Sequence, residues 1–255
     1  MSIGSTCVLS VVYVCAMKQI EKRSFVSGLT ATVILAAAIF ALAFPGYAQA
    51  ADTYCGNASS KRAVVLIHGG SFGLGGPYMT QDSCRAFAAK GYYVINSDYP
   101  LGDLLGAERY LGVQVTSARK GGRKVFAYGE SAGGGLAALL ASRSLVNAAF
   151  AWAPVSDLYR WKAESERGFV NWSGFRNFDS ATLIRMSASN WASSRSTPLL
   201  VVHGRSDTKV PLAQSTRLKA RYPAMTLQVV AGGHAETEPS FLSATSSALT
   251  WLSRW

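Results

Sequence analysis

Apolar residues in this chain fall into short continuous runs separated by stretches of helical spacing. Six runs read as strands, at residues 63–67 (AVVLI), 92–96, 125–128, 148–152, 199–203 and 226–230. A run without polar alternation suits a strand covered on both faces. Helical periodicity appears at 81–90, 104–119, 212–222 and about 239–254, and again from Leu136 onward. Gly91 closes the first of these segments and Gly121-Gly122 the second, as glycine does beyond a helix C-terminus. Strands alternating with helices predict a mostly parallel, doubly wound sheet of about six strands. The alternation fails at 155–197, a stretch that holds Trp161, Trp172 and Trp191 with Phe169, Phe175 and Phe178. It carries no strand pattern and reads as a short helical lid insertion over the C-terminal edge of the sheet, packed through its aromatics. Residues 51–255 contain no internal repeat and no low-complexity linker, so one α/β domain is expected there.

The first 50 residues differ in character. Lys18, Lys22 and Arg23 precede an apolar run at 28–44, which Pro45-Gly46 breaks, and Ala48-Gln49-Ala50 follows. Basic start, apolar middle and small residues at the end describe a secretory signal peptide, with cleavage expected before Ala51. The alternative is a membrane anchor, for which the run is short. Residues 1–16 form a second, uncharged apolar stretch in front of a complete signal. The signal proper is expected at about 17–50, starting at Met17, and the protein is expected to be exported, periplasmic or extracellular.

Export changes the reading of charge and cysteines. The full chain carries a net charge of +11, and residues 51–255 keep 22 basic and 13 acidic side chains, a net charge of +9. The basic residues form no clustered run and are mostly arginines spread over 143–221. A dispersed basic surface is expected rather than a nucleic-acid site, one able to steer acidic substrates or associate with an anionic envelope. Of the four cysteines, Cys55 and Cys84 lie beyond the signal. An even count in an exported chain predicts a disulfide between them, tying the N-terminal arm to the first helix; the alternative is two unrelated thiols. No metal-ligand cluster and no cofactor motif is present, so neither a metal nor a cofactor is expected.

The chemistry centres on residues 124–140, KVFAYGESAGGGLAALL. A strand run meets Gly129-Glu130-Ser131-Ala132-Gly133 and a helical run follows, the context a G-x-S-x-G turn requires. A strand turning at once into a helix pinches the backbone, and the pinch residue takes a positive φ. Side chains two positions away on either side would clash, hence Gly129 and Gly133. The turn lifts the Ser131 hydroxyl above the sheet at a helix N-terminus, where the dipole favours developing negative charge. A serine nucleophile needs a base, and the base needs an acid to fix its tautomer. Of the three histidines, His68 and His203 read as structural. His234 lies just past the last strand behind two glycines, at the sheet edge where Ser131 is also expected. Asp207, four residues past a buried strand and before Val210-Pro211, fits the acid. Asp157 is the reserve, and both Asp157 and Asp98 read more readily as caps or structural partners. Glu130 fills a variable position and receives no catalytic role.

The order Ser131, Asp207, His234 resembles that of the α/β-hydrolases, and the chain over residues 60–255 is similar to their esterase/lipase group. His68-Gly69-Gly70, the Gly129–Gly133 pentapeptide, the turn from Gly204 through Asp207 to Pro211, and Gly233-His234 carry the likeness. The resemblance implies Ser131 as nucleophile, His234 as general base and acid, and Asp207 as orienting carboxylate. It also implies an oxyanion hole made by the backbone N–H of Ala132 and that of Gly70 or Ser71. One departure stands out: about twelve residues precede the HGG strand, where the fold normally has an antiparallel pair, so the sheet is expected to be trimmed at that edge. The expected activity is that of a secreted carboxylesterase acting on small to medium acyl esters. The alternative is a serine peptidase of the prolyl-oligopeptidase-like group, whose usual propeller domain is not apparent. A non-catalytic binding protein is the third reading, and the presence of all three catalytic residue types argues against it.

Overall fold

A computed structural model describes residues 51–164, 178–192, 197–234 and 238–255, with side chains in the last segment from residue 243 onward. The expected signal peptide, with its cleavage site, Cys7 and Cys15, lies outside these residues, as do Phe169, Trp172 and Phe175 of the expected lid.

The described strands are β1 (Thr53–Cys55), β2 (Arg62–Ile67), β3 (Tyr93–Ser97), β4 (Lys124–Glu130), β5 (Ala148–Trp152), β6 (Leu199–Gly204) and β7 (Met225–Val230). The helices are α1 (Gln81–Ala89), α2 (Leu104–Ala118), α3 (Ala132–Ser142), α4 (Leu158–Glu164), α5 (Ser180–Met186), α6 (Ala213–Arg221) and α7 (Glu238–Leu252). Seven strands form one sheet in the order β1-β3-β2-β4-β5-β6-β7. All neighbours run parallel except β1, which pairs antiparallel with β3 in the register Thr53 to Asn96 and Cys55 to Val94.

The expectation of about six strands is therefore corrected to seven. Three residues, Thr-Tyr-Cys, are too few to show a period, and their pairing comes from tertiary contacts. Tyr54 stacks on Tyr93 at 6.3 Å between ring centroids. Cys55 is bonded to Cys84 on α1, with Cα atoms 5.9 Å apart. The short arm thus supplies one antiparallel edge strand, where the fold normally has a pair and the length of the arm suggested none.

The apolar strand runs are buried on both faces because alternate residues feed two separate cores. Val64, Leu66, Phe126, Tyr128 and Phe150 face one way, against Phe87 of α1 and Ala244, Ala248 and Leu252 of α7. Val65, Ile67, Val125, Ala127 and Val201 face the other way, against α2, α3 and α6 through Leu111, Val115, Leu136 and Leu218. Fully burying an aliphatic side chain is worth roughly 1.5–3 kcal/mol, so the two-sided strands are the main source of stability.

The lid segment contributes α4, α5 and a 3₁₀ turn at Ala188–Asn190. Its described aromatics split. Trp161 is fully buried, packs edge-on against Phe72 at 6.4 Å and donates its Nε1–H to the Lys209 carbonyl at 2.8 Å. Trp191 instead lies under the Arg143 guanidinium, 4.5 Å from its centroid, at the far end of α3. Trp161 is a core residue, and Trp191 stands away from Ser131.

The connection from β3 to β4 crosses β2, so the winding of the sheet reverses between β2 and β4. Crevices at such a reversal, outside the carboxyl ends of the strands, are where open α/β sheets take ligands. The register pairs Ile67 with Gly129, which sets the turn after β2 beside the turn after β4.

Candidate active site

β4 ends at Glu130 and α3 begins at Ala132, so Ser131 alone makes the turn. It sits at φ 55°, ψ −117°, a conformation that costs a non-glycine residue about 1–3 kcal/mol. Backbone bonds hold it there. The Ser131 N–H donates to the Trp152 carbonyl at 2.8 Å, and the Ser131 carbonyl accepts from Gly135 at 3.0 Å and Val155 at 3.3 Å. A Cβ on Gly129 would stand 2.1 Å from the Gly133 carbonyl oxygen, and one on Gly133 would stand 2.0 Å from that of Ile67. The spacing of the motif is thus a packing requirement at this junction.

His234 bridges the other two residues. Its Nδ1 lies 2.7 Å from Asp207 Oδ2 and its Nε2 lies 2.9 Å from Ser131 Oγ. With the Nδ1 proton donated to the carboxylate, Nε2 is free to accept from the serine hydroxyl. The half-buried His234 follows Gly233, whose backbone packs against the end of β6. A Cβ on Gly204, at the end of β6, would come 2.2 Å from the Gly233 carbonyl oxygen, so the acid's strand and the histidine's loop touch backbone to backbone.

Asp207 is buried and fully engaged. Its Oδ1 accepts the N–H groups of Lys209 at 3.0 Å and Val210 at 2.9 Å. Burial alone would raise its pKa, but hydrogen bonds from His203, His234 and the Val210 N–H outweigh it and hold the carboxyl well below the usual range. The sequence reads His203 as structural, and its contacts give it a further part. Its Nε2–H points to the Val210 carbonyl at 2.7 Å and stands 3.4 Å from Asp207 Oδ2, while Nδ1 accepts from Ser215 at 2.6 Å. Two histidines therefore address the same carboxylate oxygen. The sequence signal was the four-residue offset of His203 from Asp207, which the strand assignment hid.

The turn after β2 abuts the elbow: a Cβ on Gly69 would lie 3.4 Å from the Ser131 Cβ. Gly70, Ser71 and Phe72 take φ of 107°, 56° and 62° in succession. The Gly70 carbonyl accepts from Gly73 and Leu74, each at 3.0 Å. Successive backbone N–H groups in such a turn make a concavity suited to an anion. Ala132 sits in the first turn of α3, where helix N–H groups lack intrahelical partners. His68 supports the turn from beneath. It is buried, stacks on Tyr99 at 4.4 Å and directs Nδ1 to the Gly69 carbonyl at 2.6 Å. Burial lowers its pKa to about 4, against the Gly69 bond, so it is neutral at working pH.

The remaining carboxylates lie elsewhere. Asp157 accepts from the Arg160 N–H at 3.1 Å and faces Arg160 and Arg217. Asp98 follows β3, and its N–H donates to Asp52 at 2.8 Å. Glu130 faces the core of Tyr128 and Phe150, where the Tyr128 hydroxyl donates to it and a Thr245–Ser83 pair continues the chain of polar groups. Burial raises its pKa to about 8, opposed by the Tyr128 bond. Among the described residues, no group of three or more His, Cys, Asp or Glu side chains is arranged to hold a metal ion. None of the described helices is long and apolar enough to cross a membrane.

Fold and comparisons together define a serine hydrolase of the α/β-hydrolase superfamily. The chain belongs to the prolyl oligopeptidase family, whose model it matches over residues 80–222. No curated protein matches it. Solved structures of the same fold include esterase B from Lactobacillus rhamnosis, 20% identical over 78% of each chain with a TM-score of 0.61. A butyrate-bound esterase from Thermogutta terrifontis is 21% identical over 80% of this chain and 88% of its own, with a TM-score of 0.62. The acylaminoacyl peptidase of Pyrococcus horikoshii is 19% identical over 78% of this chain but 38% of its own, with a TM-score of 0.59.

Proposed function

We propose that this protein is an exported carboxylesterase that cleaves small to medium acyl esters through an acyl-enzyme on Ser131. The observation that carries the reading is the continuous hydrogen-bonded line from Ser131 Oγ through His234 to Asp207. Ser131 Oγ attacks the ester carbonyl carbon while His234 Nε2 takes its proton. The oxyanion is held by the N–H of Ala132 with that of Gly70 or Ser71, a stabilisation worth about 3–4 kcal/mol per donor in comparable sites. Collapse breaks the carbonyl–alkoxide bond, and His234 returns the proton to the departing alcohol. Water, activated by the same imidazole, then releases the acid and restores Ser131. Asp207 keeps the His234 proton on Nδ1 and offsets the imidazolium charge as it forms.

Two features support esters over amides. The esterases named above share this chain's extent through most of their own length, whereas the peptidase does so over 38% of its chain. An alkoxide also leaves more readily than an amine and demands less exact protonation. Phe72, next to the proposed oxyanion turn and backed by Trp161, supports a limit on acyl length through a rigid aromatic wall. Export of a single domain spanning 51–255 is part of the proposal, supported by the Cys55–Cys84 bridge.

Family membership keeps amide hydrolysis as the second reading. Values of kcat/KM across p-nitrophenyl acetate, butyrate, octanoate and palmitate, alongside a prolyl amide and an acylaminoacyl amide, separate them. The proposal predicts a maximum at acetate to octanoate. A maximum at palmitate makes the protein a lipase, and efficient amide cleavage with weak ester turnover makes it a peptidase.

A further inference from the structure

Six of the 22 basic residues beyond residue 50 share one end of the molecule. The sheet places the starts of β2 and β4 at one end, with the ends of α1, α2 and α7. Lys61, Arg62, Lys90, Lys120, Arg123 and Lys124 all lie at those positions. Contacts join them into one surface. Lys61 reaches the Gly121 carbonyl at 3.4 Å, Arg62 the Lys90 carbonyl at 3.3 Å, and Arg123 the carbonyls of Ser60 at 3.0 Å and Lys120 at 2.6 Å. Lys124 meets the main-chain oxygen of the last residue; the partners of the others are carbonyls and aromatic rings, and none of the six makes an ion pair with an Asp or Glu side chain among the described residues. The carboxylates of Asp82, Asp98, Asp103, Glu130, Asp157 and Asp207 sit at the starts of helices or the ends of parallel strands, toward the opposite end.

Aromatics border the same face. Lys124 Nζ bonds the Trp255 main-chain oxygen at 2.6 Å. Trp255, 42% exposed, meets Trp251 edge-on at 5.9 Å, and Arg254 lies over the Trp251 ring at 5.4 Å. Between the end of α7 and the sheet is a cleft of about 310 Å³, lined by Arg62, Lys90, Tyr92, Leu249, Thr250 and Ser253. Two cations and three hydroxyls there match the chemistry of a phosphate diester. Uncompensated Lys/Arg beside exposed tryptophan is the composition that seats a protein on an anionic bilayer.

We infer that this end of the molecule docks on an anionic phospholipid surface. β4 spans the distance from Lys124 to Ser131, seven residues at about 3.3 Å each, or roughly 23 Å. Docking therefore turns the proposed catalytic end away from the lipid, toward soluble substrate. The face is a tether and not an interfacial activation device. The inference stands apart from the choice between ester and amide.

Co-sedimentation of the full chain with phosphatidylglycerol-containing and pure phosphatidylcholine vesicles tests it. Binding is expected to the anionic vesicles and to fall steeply with salt. Residues 1–50, if retained, carry Lys18, Lys22 and Arg23 beside the apolar run and also favour anionic vesicles, so the comparison of variants, and not the vesicle contrast alone, isolates the face. A surface basic residue is worth roughly fivefold in partitioning, so Lys61→Glu/Lys90→Glu/Lys120→Glu is expected to lose about 100-fold or more. Its p-nitrophenyl butyrate turnover is expected to be unchanged, which reports folding. Arg85→Glu/Arg109→Glu/Lys162→Glu makes the same charge change elsewhere and is expected to retain binding. Bromolipid quenching of tryptophan emission is expected to drop in Trp255→Phe. Equal loss in both triple variants overturns the inference in favour of bulk charge. Equal binding to neutral vesicles, or binding to dextran sulfate without vesicle binding, overturns it as well.

Discussion

Glu130 gives the account its most quantitative handle on stability. The carboxyl is 4% exposed, sits one residue before Ser131 and has its pKa raised by burial from 4.5 to about 8. Between these values the unfolded chain releases the proton and the folded chain keeps it. The contribution to stability is complete below about pH 4.5, falls by about 1.4 kcal/mol per pH unit above it, and levels off beyond about pH 8. The total is on the order of 5 kcal/mol, with about 3 kcal/mol of it already lost at pH 7. Glu130→Gln keeps the shape and an acceptor for Tyr128 but cannot ionise. Its extra N–H groups cost about 1–3 kcal/mol if left unsatisfied, a penalty that does not change with pH. The diagnostic is the slope: urea unfolding of both proteins from pH 4 to pH 9 should show the variant gaining on the parent by roughly 1.4 kcal/mol per unit between pH 4.5 and 8. Parallel curves across that range would mean that Glu130 is ionised in the folded protein at neutral pH, and the buried-acid argument would fail.

Other predictions follow from the site and the edge of the sheet. Asp207→Asn presents an amide NH₂ to His234 Nδ1 and to the His203 Nε2–H, so it flips the His234 tautomer and should lower kcat by about 10³–10⁴-fold with an unchanged far-UV spectrum. Asp157→Asn should leave kcat within about threefold; the reverse pattern would move the acid to Asp157. Cys55→Ala/Cys84→Ala removes a cross-link spanning 29 residues and should cost about 3.5 kcal/mol in the chain-entropy model, read by unfolding under oxidising conditions. A reduced parent that is as stable as the oxidised one would refute the role given to the bridge.

The parallel strands were legible because each is buried on both faces and so spells a continuous apolar word between glycines. β1 was not, because its three residues gain their place only from β3, Tyr93 and Cys84. At the site, Gly129 and Gly133 could be read because backbone must approach backbone there; the same need at Gly204 shows only in the structure. The second contact on Asp207 was hidden, since a buried strand histidine looks the same in sequence whether or not it meets a carboxylate. Glu130 was equally opaque: its neighbours Tyr128, Thr245 and Ser83 come from three different elements. Trp161 is a core residue, and its contact with Phe72 links it to the turn.

Covalent capture decides whether Ser131 is the nucleophile. The protein should be treated with a fluorophosphonate and mapped by peptide mass spectrometry, with Ser131→Ala in parallel. The account predicts one adduct, on the peptide containing Ser131, complete loss of ester turnover with labelling, and a folded but unlabelled and inactive variant. An adduct on any other residue, or a Ser131→Ala protein that still turns over ester, would contradict it.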